Sequence, residues 1–202
     1  MPLPFGSLVV AAGICGTLSF ASLAASLGTE YWFIIEMNPA NASDAEDWSS
    51  HSGLWSVGEG EKMKAEDSAT YSESEHGMHS AIVVVLPLSL VLMLFGGICG
   101  LVSSLARSPV LLARTATYFF LCSLLTLSGA SLYIVYSHRA LAEAERLVGP
   151  QGLASVRTSF GWSLGLAWLS YGLELLAGAL LLVAARAVQL QRGGGGGSPA
   201  TT

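Results

Sequence analysis

Apolar residues fall into four long runs separated by polar stretches. Leu3 to Leu27 is 25 residues long and holds no charged residue, more than the roughly 20 residues a helix needs to cross a bilayer core. The others are Ala81 to Val102, Ala116 to Tyr136 and Phe160 to Ala185. None alternates with period two, so each predicts a membrane-spanning helix, at about 3–27, 81–102, 116–136 and 160–185. Pro87 lies inside the second run, where neighbouring helices can satisfy the carbonyl it frees.

The polar stretches define the connections. Residues 29–80 and 137–158 predict two longer loops, and Ser103 to Thr115 a short connector. Ala140 to Val148 reads as a helical extension ended by Gly149-Pro150. The five glycines from Gly193 open a low-complexity tail, expected to be disordered over 193–202. The start Met-Pro-Leu-Pro has no basic residue, and the first apolar run is longer than a signal peptide needs. A retained helix is therefore expected, and residues 1–192 read as one four-span domain.

Composition sharpens this picture. The chain is 52% hydrophobic and 11% charged, against roughly 25% charged in soluble domains. Residues 29–80 hold eleven acidic residues and two lysines. Such segregation fits an acidic loop outside a membrane-embedded body, and no basic cluster suggests nucleic acid. Arginine density in the short connector and the tail weakly places both termini in the cytoplasm. The sequon Asn41-Ala42-Ser43 agrees with an outward first loop and predicts glycosylation at Asn41. Cys15, Cys99 and Cys122 all lie in apolar runs, where they read as small buried side chains.

Candidate chemistry is sparse. Glu174 is the one ionisable residue deep in a run, with Ser170, Tyr171, Ala177 and Gly178 at helical spacing. A carboxylate there must face the bundle or be protonated. Its expected role is bundle packing or contact with a partner's helix, with proton or ion relay as a minor alternative. Ala12 with Gly16, and Ala21 with Ala25, form small pairs suited to close helix contact. Gly96, Gly100 and Ser104 form a second seam, and Gly161 and Gly165 are further candidates for packing or partner contact. His76 and His79, with Glu73 and Glu75, have a spacing that could hold a metal but read as a polar juxtamembrane stretch. No nucleophile with its base, phosphate-binding loop or H-E-x-x-H motif is present. An enzyme, a cofactor and a small-molecule substrate are therefore not expected.

The first loop carries the most specific signal. Tyr31 to Ile35 is aromatic and β-branched and predicts a strand, with Trp32 equally suited to anchoring at the membrane interface. Ser52 to Val57 predicts a second strand. Trp32, followed some twenty residues later by Gly53-Leu54-Trp55, resembles the W…GLW…C…C first-loop motif of the claudin and peripheral-myelin-protein superfamily. That superfamily includes epithelial membrane proteins and calcium-channel gamma/AMPA-receptor auxiliary subunits. Phe160-Gly161-Trp162-Ser163 running to Glu174-Leu175 is more similar to the gamma-subunit side. Ser49 to Trp55, Val85 to Leu92 with Ile98 to Leu101, and Ser159 to Ser163 resemble a branch of orphan four-span proteins in the same superfamily. The family's two loop cysteines are missing: Gly58 stands three residues after Trp55 where the first would be.

The resemblance implies an all-α membrane protein: a left-handed four-helix transmembrane bundle bearing a small antiparallel extracellular β-sheet. It implies a non-enzymatic plasma-membrane protein that meets other membrane proteins. These would be channel or receptor subunits contacted laterally, or claudin-like proteins at cell junctions. The lateral mode is favoured by the missing cysteine clasp and by a tail ending Ala-Thr-Thr. Without the clasp, Gly58 to Glu75 is expected to be mobile while the two strands still pair.

Overall fold

The computed structural model describes residues 5–37, 49–52, 54, 72–148 and 156–194. Four helices are long and apolar enough to cross a membrane. They are α1 (Phe5–Gly28), α2 (Ser72–Ala106), α3 (Pro109–Val148) and α4 (Trp162–Gly194). Three strands complete the described fold: β1 (Phe33–Met37), β2 (Ser49–Ser52) and β3 (Val156–Phe160). Within the helices, the apolar spans are Phe5–Gly28, His79–Ala106, Pro109–Arg139 and Trp162–Gly193.

The connector between α2 and α3 is far shorter than Ser103 to Thr115. It is only Arg107 and Ser108. Ser108 precedes a proline at the first helical position, where the missing N–H costs nothing, and its carbonyl accepts from the Leu112 N–H at 3.0 Å. Arg107 makes the turn with a φ of 45°. Hydropathy alone misplaced these ends because Arg114 interrupts the apolar run without interrupting the helix.

Burial in every helix follows alternating steps of three and four. On α4 the buried positions run Ser163, Ala167, Ser170, Glu174, Ala177, Leu181, Ala184 and Val188. On α2 they include Ile82, Leu86, Ser89, Met93 and Ser103, with Gly96 between them. On α3 they include Leu112, Ala116, Phe119, Ser123, Thr126, Ala130, Tyr133 and Ser137. A seam repeating every 3.5 residues lags behind the 3.6 of a straight helix. Keeping it inward requires left-handed supercoiling.

α1 packs most extensively on α4, and α3 lies against both α4 and α2. The α1–α4 contact is antiparallel and stepped by seven residues. Ser26 meets Ser163 and Ser19 meets Ser170, and Ala12 and Ala177 share one apolar cluster a further seven residues on. Small side chains let these backbones approach closely where apolar burial gives little drive. Ala21 and Ala25, a pair suited to close helix contact, lie on the exposed face of the bundle. Position 26, not 25, continues the seven-residue step from Ala12 and Ser19.

The sheet is antiparallel, in the order β2-β1-β3. β1 pairs Phe33 with Ser52 and Glu36 with Ser49 on one side, and Phe33 with Phe160 and Met37 with Val156 on the other. The second strand thus ends where Ser52 to Val57 was expected to begin. Leu54 forms a bend and is buried. Positions 53 and 55–71 lie outside the described residues, which includes most of the stretch expected to be mobile. Its last part, Ser72 to Glu75, belongs to α2.

Candidate functional site

The segment leaving α1 is held to the start of α4 mainly by backbone. Gly161 N–H donates to Trp32 O at 3.0 Å, and Ser163 N–H reaches Tyr31 O at 3.4 Å. A Cβ on Gly161 would collide with the Tyr31 carbonyl. Gly161 is therefore required by a chain crossing between β3 and α4, not by contact between helix faces. Gly165 takes no part in packing within the bundle. It is exposed on α4, and a Cβ there meets nothing within 4 Å.

Trp32 is fully buried, so it is no interfacial anchor. Its Nε1 donates to Ser26 O at 2.8 Å, and its ring meets Tyr133 edge-on at 4.7 Å between centroids. Ser26 uses its own hydroxyl to donate to Ser163 O at 2.7 Å. Thr29 Oγ1 lies 2.7 Å from Ser163 Oγ. These contacts fix where β1 starts relative to both helices. Tyr31 and Trp162 are both exposed at this level, 6.1 Å apart.

Leu54 is 1% exposed and joins Trp32, Leu23, Ile82, Tyr133 and Leu164 in one apolar cluster. His79 binds the Leu54 carbonyl through Nε2 at 3.2 Å and stacks near Tyr136 at 5.8 Å. Of the first-loop motif, Trp32 and Leu54 thus form the seat of the sheet. Gly53, Trp55 and Asn41 lie outside the described residues. His76 has no described side chain, and no group of three or more metal-ligating residues gathers among the described residues.

A second constellation lies deeper. Glu174 is completely buried. Thr126 Oγ1 donates to its Oε1 at 3.0 Å, with Oε2 at 3.3 Å, and Ser170 Oγ donates to Oε1 at 3.2 Å. Thr126 Oγ1 also lies 2.8 Å from Ser89 Oγ. Ser170 and Ser19 are joined by three contacts of 2.8 to 2.9 Å. The chain Ser89–Thr126–Glu174–Ser170–Ser19 therefore touches all four helices. A carboxylate in hydrocarbon is tolerated when hydroxyls surround it in this way. The same enclosure removes Glu174 from the outer surface, so it is not available to a partner's helix.

Other hydroxyls divide by face. Exposed Thr17, Thr117 and Ser128 each donate to the carbonyl four residues back, which satisfies them without a neighbour. Several seam hydroxyls bond across helices, as Ser103 and Thr115 do at 3.0 Å. Gly96 packs beneath Tyr118, where a Cβ would come within 2.8 Å of the ring. Gly100 sits beside Thr115 at an ordinary 3.7 Å. The α2 seam continues through Ser103 rather than the expected Ser104.

Residues 17–183 match the family model described as PMP-22/EMP/MP20/Claudin tight junction. The match runs from the middle of α1 to about two thirds of the way along α4 and includes the sheet, its seat and the Glu174 cluster. The chain is thus a four-span membrane protein that belongs to the PMP-22/EMP/MP20/claudin family.

Proposed function

We propose that this chain is a non-enzymatic plasma-membrane protein that acts through lateral contacts with other membrane proteins, as an auxiliary subunit of a channel or receptor or as a membrane organiser. Both termini lie in the cytoplasm, the sheet stands outside the cell, and Asn41 is glycosylated. Within the family, the blocks around Leu54, Pro87 and Gly161 support a place near transmembrane proteins 114 and 235. The observation that carries the reading is the closure of the bundle around Glu174. Its hydrogen bonds come from Thr126 and Ser170, and no other carboxylate occurs in any span. A relay needs a second station, whereas a scaffold needs only a tied interior. The rigid seat of Trp32 and Leu54 then holds the sheet and outer loops for a partner to read.

The test is purification from expressing membranes in mild detergent. A channel or receptor subunit is expected to come with the protein at fixed stoichiometry, and its currents should change on co-expression. Junctional strands in cells expressing this chain alone would replace the lateral reading with a cell–cell adhesion one. Ion flux in proteoliposomes that vanishes in Glu174→Gln would replace it with transport. Glycosidase treatment tests orientation separately: a mobility shift that disappears in Asn41→Gln is expected.

A further inference from the structure

The end of the bundle opposite the sheet carries a positive cluster without any acidic partner. Arg107, Arg114, Arg186 and Arg192 are all exposed there. No aspartate or glutamate occurs in residues 1–29, 76–142 or 175–202. Arg114 follows Pro109 by five residues and Arg186 precedes Arg192 by six. All four therefore lie within about two helical turns of the same end.

Two of the arginines are organised rather than scattered. Arg192 Nη2 donates to the Arg107 carbonyl at 3.1 Å, tying the last turn of α4 to the α2–α3 turn. The Arg107 guanidinium lies 5.8 Å from the centre of the Phe5 ring, which brings in the first turn of α1. An aromatic face at that distance steadies a cation. Arg107 also holds a φ of 45°, a left-handed conformation in which glycine would carry no strain. The turn places a long cationic side chain where the backbone favours none. One of the five N–H groups of Arg192 is used in the tie to Arg107.

A guanidinium fork matches the paired oxygens of a phosphate better than a point charge does. The Arg107 guanidinium over Phe5 and the Arg192 guanidinium on the Arg107 carbonyl both belong to this helix-bundle end, at the depth where phospholipid headgroups sit. We propose that the Arg107–Arg192 pair, with Phe5 beneath it, binds the headgroup of an anionic phospholipid bearing a phosphomonoester, with Arg114 and Arg186 adding long-range attraction. The phosphomonoester supplies more charge and more acceptor oxygens than the single phosphodiester of a simple anionic lipid. This site is independent of the protein partner proposed above.

The experiment uses the full chain in nanodiscs of phosphatidylcholine alone, with phosphatidylserine, or with phosphatidylinositol bisphosphate at matched total charge. Thermal stability and lipid retention by native mass spectrometry are read. The bisphosphate discs should give the largest upward shift, and soluble inositol trisphosphate added to neutral discs should give little. Arg107→Gly should keep or raise stability in neutral discs while weakening bisphosphate retention about tenfold, the scale of a lost charge-assisted hydrogen bond. Arg192→Gln should weaken it likewise while leaving the residue at the left-handed turn position unchanged. Equal shifts with phosphatidylserine, equal effects of the soluble headgroup, or undiminished retention in both variants would each overturn the proposal. Nanodiscs present lipid on both faces, so failure would not depend on the orientation of the termini.

Discussion

Ser19 and Ser170 meet across the first and last helices: each hydroxyl lies within 2.9 Å of the other residue's main-chain carbonyl. Side-chain hydrogen bonds inside membranes average only about 0.6 kcal/mol. Their value here is geometric, because an oxygen on a short stem can reach a carbonyl only if the helices nearly touch. Ser170→Ala should therefore lower unfolding stability by less than about 1 kcal/mol. Ser170→Leu should cost roughly 1–3 kcal/mol by forcing α1 from α4. Equilibrium unfolding in mixed micelles separates the two.

Glu174 is expected to act through its hydrogen bonds rather than its charge. Glu174→Gln keeps an acceptor for Thr126 and Ser170 and should be close to wild type in stability. Glu174→Ala should be worse by roughly 2 kcal/mol, since it leaves a void lined by hydroxyls. A double-mutant cycle with Thr126→Val should show coupling on the order of 1 kcal/mol, read from the same unfolding curves.

Gly161 and Gly165 differ by four residues and should differ sharply in tolerance. Gly161→Ala places a methyl against the Tyr31 carbonyl. It should cost roughly 2–4 kcal/mol and reduce surface delivery. Gly165→Ala has open space around it and should be silent. Surface biotinylation of the two variants is the direct check.

Trp32 combines a buried ring with one indole hydrogen bond. Trp32→Ala should cost about 3–5 kcal/mol. Trp32→Phe keeps much of the contact with Tyr133 and loses the bond to Ser26, so about 1–2 kcal/mol is expected. Thermal unfolding should rank them in that order.

Ser137 offers a change in the opposite direction. Its hydroxyl is buried with no hydrogen-bond partner among the described residues. Ser137→Ala removes a desolvated polar atom and should leave stability unchanged or raise it by about 1 kcal/mol. Melting temperature is the readout.

The four spans were legible in the sequence because hydrocarbon demands length and apolarity, and both are properties of a run. Which face of each helix turns inward was less legible. Ala21 and Ala25 are as small as Ala12, yet they face outward. In lipid both faces of a helix are apolar, so hydrophobic contrast does not mark the seam. The informative signal was the seven-residue recurrence of Ala12, Ser19 and Ser26 and of Ser163, Ser170, Ala177 and Ala184. Glu174 stood out by its isolation, but the rest of its hydroxyl chain, Ser89, Thr126 and Ser19, comes from three other helices. Trp32 and Leu54 were marked by their motif, while burial of the indole depends on Ser26 and Tyr133, which no local pattern connects to it. The second strand was misplaced because Leu54 has good strand chemistry but is used as a plug in the core.

The pairing of α1 with α4 also sets an order of events during synthesis. The partners of Ser19 and Ser26 lie 151 and 137 residues downstream, on the order of ten seconds of translation. Through that interval the first helix lacks the surface it fits best. A polypeptide released early, or one whose final span inserts badly, leaves those hydroxyls facing lipid or a chaperone. The seam therefore makes completion of the chain a condition for closing the bundle, and gives membrane quality control a feature by which to tell finished molecules from unfinished ones.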